Sequence, residues 1–201
     1  MRKVIYTAII LLVLSLPFSC GDGCDDSDVV TTVTSMTLRF GAYTPGFQSR
    51  AFVPYDSAIF LASIDEVDRE TAAHVNFEGF MNRAYAEDCG FFVELKHKLT
   101  AINITSDDAV VTGGETYPAG TSLNDLFDVG FFVSREIRYT LDEMVDFLRL
   151  DSFDFSDQGD VLEFQLLAAP DVDINQIFTF TFDFEDRTIV LGSGAIAIPA
   201  G

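Results

Sequence analysis

Residue types that could carry out chemistry are few in this chain, and their spacing matches no common catalytic motif. Histidine occurs only as His74 and His97. The sequence contains no HExxH, CxxC, Walker, GxGxxG or GxSxG pattern. His97 lies between two lysines in a predicted strand, which favours a partly exposed structural histidine. We therefore predict no activated nucleophile, no metal site and no cofactor.

Carboxylates are the one catalytic residue type in abundance, with 32 Asp and Glu. A glycosidase needs two of them about 5–10 Å apart across a cleft, and sequence spacing does not locate such a pair in a β-protein. Four acids recur at every third position and suggest a calcium loop: Asp151, Asp154, Asp157 and Asp160. The EF-hand pattern fails there, because Gln158 and Gln165 occupy ligand positions. We expect a solvated acidic loop, with calcium binding as the alternative.

The N-terminus has the composition of an export signal. Arg2 and Lys3 precede a mostly apolar run over residues 4–16. As a helix this run would reach about 20 Å, short of a hydrocarbon core of about 30 Å, but it suits a secretory signal. No later stretch is long and apolar enough to span a bilayer. We predict a signal peptide over residues 1–19.

The end of this signal resembles the lipobox of bacterial lipoproteins. Residues 16–20 read LPFSC, in which the small residue Ser19 precedes Cys20, and Phe before Ser is similar to relaxed lipoboxes of Bacteroidota. The resemblance implies that Cys20 is lipidated; stable anchoring takes at least two acyl chains. The acidic residues 21–28 are similar to the signal that sends such lipoproteins to the outer leaflet, and they equally suit a flexible tether.

Two further cysteines, Cys24 and Cys89, remain if Cys20 is acylated. An exported protein meets oxidising conditions, so we favour a disulfide between them, worth roughly 4 kcal/mol in the loop-entropy view. Unpaired thiols or mixed disulfides with partners are the alternative.

Charge and composition exclude one class of partner. The net charge is −20, and removal of residues 1–19 takes away two basic residues and no acid. Such a surface repels phosphates, which excludes nucleic-acid binding. The 20 Phe can build a real core, whereas Trp is absent. An aromatic platform for a glycan would therefore have to use tyrosines, namely Tyr43, Tyr55, Tyr85 or Tyr117.

The rest of the chain has strand periodicity. Alternating or continuous apolar patterns predict strands over residues 35–43, 58–64, 91–98, 99–105, 129–139 and 161–167, with a bulge near Leu99. Four Phe at period two over residues 178–184 must share one face of a strand. A turn at residues 185–187 then leads to a last strand, Thr188–Ile198, and completes a hairpin.

Capping patterns predict short helical segments between the strands. Ser122 opens a turn through Phe127, and Thr140 and Glu143 form a capping box. A further helical turn is predicted within residues 65–73. We therefore expect a mainly β protein, an antiparallel β-sandwich or a barrel-like variant of it, with two or three short helices. Residues 20–33 form the lipidated acidic tether and residues 34–201 a single β-rich domain.

Several ordered segments resemble an uncharacterised family of Bacteroidota lipoproteins. They are residues 37–43, 84–89, 98–108, 117–127 (YPAGTSLNDLF) and 178–184. The resemblance covers most of the chain after residue 19. It implies an anchored compact domain of unknown function and carries no catalytic residue.

Two functions remain after these exclusions. The first is a non-enzymatic binding or structural role in the cell envelope, at the outer membrane or the cell surface. The membrane is reached through the lipid on Cys20, and the partner is an envelope protein or a glycan. The second is a small carbohydrate-active enzyme that uses an Asp/Glu pair.

Overall fold

The computed structural model describes residues 29–44, 46–71, 93–132, 134–150 and 161–201. Several residues singled out from the sequence lie outside these ranges, namely Cys20, Cys24, Cys89, His74, Tyr85 and the four aspartates of residues 151–160. Within them, two antiparallel sheets pack face to face, which confirms the predicted β-sandwich. No described helix is long and apolar enough to cross a membrane.

Twelve strands, one helix and two 3-10 turns make up the described chain. The strands are β1 (Val29–Thr44), β2 (Gly46–Ser49), β3 (Ala58–Thr71), β4 (Val93–Leu95), β5 (Leu99–Ser106), β6 (Val110–Thr112), β7 (Glu115–Tyr117), β8 (Phe127–Phe131), β9 (Ser134–Tyr139), β10 (Leu162–Leu166), β11 (Ile174–Phe184) and β12 (Thr188–Ile198). The helix is α1 (Leu141–Leu150), and the 3-10 turns are Tyr55–Ser57 and Asn124–Leu126.

The strands form one large sheet and one small sheet. The large sheet has the order β2-β1-β3-β10-β8-β9, with β4 parallel to the first residues of β1. The small sheet has the order β12-β11-β5, and β6 and β7 form a separate two-stranded ladder. Every other pairing is antiparallel, so hairpins connect β1 to β2, β8 to β9 and β11 to β12.

The phenylalanine stripe of β11 forms the centre of the core, as its spacing predicts. Phe178, Phe180 and Phe182 are at most 1% exposed. Phe180 contacts the rings of Phe60 and Phe164 from the large sheet, with centroids 5.1 Å apart in both pairs. Full burial of one such side chain stabilises a fold by about 1.5–3 kcal/mol. The predicted hairpin to β12 is also confirmed, with Asp183 paired to Thr188.

Strand β3 is longer than its sequence pattern indicates. Its first five residues are buried on both faces, which confirms a central strand. The helical turn predicted within residues 65–73 is wrong, because β3 continues to Thr71 and pairs with β1 through Thr32 and Asp68. Pairing with a long neighbour overrides the weak local preference of this polar segment.

The apolar alternation over residues 129–139 predicts one strand, but the structure has a turn within this range. These residues form not one strand but the hairpin of β8 and β9, with Val129 paired to Tyr139 and Phe131 to Ser134. Apolar residues occupy odd-numbered positions in both strands, so the alternation continues across the turn and does not reveal it.

The predicted strand 91–98 is shorter in the structure, since β4 ends at Leu95 and a bend follows. The bulge near Leu99 is confirmed, because Asp183 pairs with Ala101 and Phe184 with Leu99.

Helix α1 begins at the predicted capping box. The backbone N–H of Thr140 donates to Glu143 Oε2 at 2.9 Å, and the N–H of Glu143 donates to Thr140 Oγ1 at 3.2 Å. The inward face of the helix is buried in the main core through Leu141, Met144, Val145 and Leu148. The helix packs against β5, β8 and β9, and so it covers one lateral side of the sandwich.

Candidate functional site

A buried charge lies on the outer face of the large sheet. Glu163 in β10 is 0% exposed. Its neighbours Leu162 and Phe164 point into the sandwich core, so the Glu163 side chain points to the opposite face. An isolated buried carboxylate is strongly unfavourable, which means that its partners determine whether the fold tolerates it.

Two arginines and an amide supply those partners. Arg135 Nε lies 2.9 and 2.8 Å from the two carboxylate oxygens of Glu163, and Arg138 Nη1 lies 3.1 Å from Oε1. Gln165 Nε2 donates to the same oxygen at 2.7 Å. Charge-assisted hydrogen bonds of this kind stabilise a buried carboxylate when its lone pairs are satisfied.

The second acid of the cluster neutralises the second arginine. Arg138 Nε donates to Asp128 Oδ1 at 3.1 Å, and its Nη2 pairs with the same oxygen. With two carboxylates and two guanidinium groups, the cluster therefore has no net charge.

The hydroxyl of Tyr55, at the nearby 3-10 turn, has a raised pKa. The main cause is partial burial, and the second is the negative charge of Asp128.

Aromatic rings join this cluster to the far edge of the sheet. The guanidinium carbon of Arg135 lies 3.5 Å from the centroid of the Tyr43 ring, within cation–π distance. The same ring meets Phe132 edge-on at 6.2 Å. Tyr43 belongs to β1, whereas Arg135 and Phe132 belong to the β8–β9 hairpin. We refer to Tyr43, Phe132, Arg135 and Arg138 as the roof.

Apolar residues of the central strand share this outer face with Glu163, which pairs with Leu61. Ile59 and Leu61 lie on the outer face of β3 and are 0% and 1% exposed. Two glycines allow the second strand of each hairpin to lie close to the first. A Cβ on Gly130 would lie 2.6 Å from the carbonyl oxygen of Ile137, and one on Gly41 would collide with the backbone of Gln48. Larger residues at these positions would push the hairpins outward.

The charged cluster and the roof are better suited to contact with a binding partner than to proton transfer. Glu163 exposes no side-chain surface, and both its oxygens accept from cations. In contrast, Tyr43 is 38% exposed. Tyrosine and arginine are the residue types that most often anchor a protein interface.

Of the residues named from the sequence, Tyr43 lies in the roof and Tyr55 lies near Asp128, whereas His97 and Tyr117 lie elsewhere. His97 is partly exposed, and its Nε2 lies 3.6 Å from Asp186 Oδ2. The hydroxyl of Tyr117 donates to Glu115, and this bond is the main cause of a raised Tyr117 pKa. Over the described ranges, no group of three His, Cys, Asp or Glu is placed to hold a metal ion.

Sequence reasoning did not select the charged cluster. Arg135 interrupts the apolar alternation of residues 129–139, and Glu163 lies between the apolar Leu162 and Phe164. A charge within an apolar strand is the signal that could have identified both. The pairing of the two charges depends on strand order, which the pattern does not contain.

Comparisons with known proteins add little to this description. No family model matches the chain, and no curated protein matches it. Among solved structures, the C-terminal domain of the AgI/II polypeptide BspA of Streptococcus agalactiae is similar at a TM-score of 0.25 and 10% identity, over 83% of this chain and 50% of that one. A second BspA C-terminal structure has a TM-score of 0.16 and 13% identity, over 52% and 32%. The chain thus spans half or less of the structures that it matches.

Proposed function

We propose that this chain is a lipid-anchored envelope protein whose sandwich domain binds a partner at the roof and catalyses no reaction. The observation that carries the binding role is the roof itself, in which the exposed Tyr43 ring adjoins an arginine that is already held in place. The anchor follows from the sequence that ends at Cys20.

Preorganisation makes the roof suitable for binding. Immobilising one flexible side chain at an interface costs about 0.5–1.5 kcal/mol. Arg135 is held from below by Glu163 and from above by the Tyr43 ring, so much of this cost is met before a partner arrives. Because the ion pairs are internally neutral, the partner need not be charged. An envelope protein fits these features best.

A glycan is the second candidate, on the strength of one observation. An exposed Tyr43 ring lies beside the planar guanidinium of Arg135, and Glu163 joins that guanidinium to the amide of Gln165. A sugar ring can stack on the first and hydrogen-bond to the others. No tryptophan is present to extend such a platform.

The anchor is tested by Cys20→Ala in the full chain expressed in a Gram-negative host. We expect the variant to leave the membrane fraction or to remain unprocessed, because no other predicted segment holds it there. A processed variant that still partitions fully with membranes would refute the lipid anchor.

The binding site is tested by affinity capture from native membranes with wild type, Tyr43→Ala and Tyr117→Ala. Tyr117 is a partly exposed tyrosine on the separate β6–β7 ladder, so it serves as the matched control. We expect Tyr43→Ala to lose the captured partner and Tyr117→Ala to retain it, and thermal melting checks that both variants are folded. Retention by both variants would contradict binding at the roof.

The enzymatic alternative has its own measurement. A panel of glycosides is offered to the full chain, with Asp128→Asn as the diagnostic variant because Asp128 is the more accessible carboxylate of the cluster. We expect no turnover. Turnover that Asp128→Asn abolishes while the melting temperature stays unchanged would replace the binding proposal.

A further inference from the structure

One lateral side of the sandwich is incompletely covered. It lies between β1 and β12, opposite the side that α1 covers. Leu38, Ile189 and Leu191 point into the core there but are only partly buried, whereas Phe180 and Phe182 on the neighbouring strand are at most 1% exposed. The core therefore reaches solvent along this edge.

Half of the β12 edge has no second strand partner among the described residues. Near its C-terminal end, β12 is bridged by residues 51–53: Val53 N donates to the carbonyl of Ala197, and Ala197 N to that of Ala51. From Thr188 to Gly192, the only described strand paired with β12 is β11. Such an edge presents backbone donors and acceptors to an incoming strand.

This part of the edge also lacks the usual protection against pairing. Proteins guard edge strands with charges, proline or bulges. Edge strand β9 carries three charged residues, Arg135, Glu136 and Arg138. In β12 a bulge is present only farther along, where Gly194 adopts a φ of 69° and the register shifts. Residues 188–192 carry no charge, and Val190 at their centre is 62% exposed.

We propose that two copies of this chain associate by antiparallel pairing of β12 with β12, centred on Val190. Thr188 of each copy would then lie opposite Gly192 of the other, and the two small sheets would join into one of six strands. The partly exposed Ile189 and Leu191 of both copies would gain cover at the junction. This association is independent of the roof and of its partner.

Charge directs the contact between two copies to this edge. With a net charge of −20, two chains repel each other over most of their surfaces. An uncharged strand removes that repulsion where the backbones meet. Antiparallel pairing about Val190 also places the Glu185–Asp186 turn of each copy beside Gly194 and Ala195 of the other, so the two acidic turns lie at opposite ends of the junction.

Five residues per chain make a small junction. Stable dimers bury about 800 Å² per partner, more than one short strand supplies, so we expect a weak dimer in dilute solution. Confinement of both copies to one membrane raises their effective concentration and favours pairing. The test therefore uses the full anchored chain in its membrane.

The first experiment cross-links variants that each carry one added cysteine, in that membrane. Val190→Cys should give a dimer on mild oxidation or with a short bis-maleimide, because the two side chains lie opposite each other across the dyad. Ile137→Cys, an equally apolar and exposed position on edge strand β9, is the matched control. We expect at least a fivefold larger dimer fraction for Val190→Cys. Equal fractions, or no dimer with either reagent, would overturn the proposal.

The second experiment adds the missing edge charge. Val190→Lys should reduce the association of anchored chains at least tenfold, as measured by resonance energy transfer between labelled copies in the membrane, and should leave the melting temperature unchanged. Ile137→Lys should have no effect on association. A dimer that survives Val190→Lys unchanged would also overturn the proposal.

Discussion

The two lateral sides of this sandwich are built in different ways. On the side of β5 and β8, helix α1 inserts four apolar residues into the core and leaves them at most 5% exposed. On the side of β1 and β12, the inward-facing Ile189 and Leu191 remain partly exposed. Both sides belong to one core, but only one of them carries a described helix as a cover.

The edges of the small sheet differ in the same way. The β5 edge is paired with the segment that ends at Asn124: Ile104 N donates to Asn124 Oδ1 at 2.9 Å, and Asn124 Nδ2 donates to the carbonyl of Ile102 at 2.8 Å. The backbone of Leu123 also donates to the carbonyl of Ile104 at 2.8 Å. This segment replaces a neighbouring strand and leaves no room for a second copy there. The comparison teaches that this fold closes one edge by itself and leaves the other available for association.

The largest effect on stability is expected when a buried side chain of α1 is truncated. Met144 of α1 is 0% exposed, so Met144→Ala leaves a cavity and should lower the free energy of unfolding by about 2–5 kcal/mol. Urea unfolding followed by circular dichroism measures the change. A loss below about 1 kcal/mol would mean that α1 contributes little to the core.

The next largest effect is expected at Asn124. Asn124→Leu leaves the amide of Ile104 and the carbonyl of Ile102 without partners and should cost about 1–3 kcal/mol. Hydrogen exchange at Ile104 should accelerate in parallel. Asn175→Leu, on the exposed outer face of β11, is the control and should change neither quantity. Similar losses in both variants would show that Asn124 does not protect the edge.

A smaller effect is expected on the incompletely covered side. Leu191→Ala should lower the free energy of unfolding by about 1 kcal/mol, because its side chain is already partly hydrated. The comparison with Met144→Ala, under the same denaturant conditions, measures the difference between the two sides. Equal losses would show that the β12 side is as well packed as the side under α1.

The smallest effect concerns the start of α1 and depends on pH. Hydrogen bonds from the Thr140 backbone and hydroxyl lower the pKa of Glu143 in the folded state. The resulting stabilisation is present above the ordinary glutamate pKa and is lost as the pH falls through the lower folded value. Exchange of the first α1 amides should therefore accelerate on acidification in wild type, and less so in Glu143→Gln. Identical pH profiles would exclude this capping contribution.

Local signals in the sequence were enough for several elements. The period-two phenylalanines placed β11 and its core face, and the turn at residues 185–187 placed β12. The Thr140–Glu143 capping box located the first turn of α1. Each of these depends on residues close together in the chain, whose spacing alone indicates a strand face or a helix start. The sandwich class followed from the number and pattern of such strands.

Only the tertiary structure decided which strands are neighbours, and the charged cluster depends on that choice. Glu163 meets Arg135 and Arg138 because β10 pairs with β8 and because the β8–β9 hairpin folds over the sheet beside Gly130. The same is true of the two lateral sides, since whether β5 or β12 is covered depends on where Asn124 and α1 pack. Periodicity reports which face of a strand is apolar and says nothing about what lies across from it.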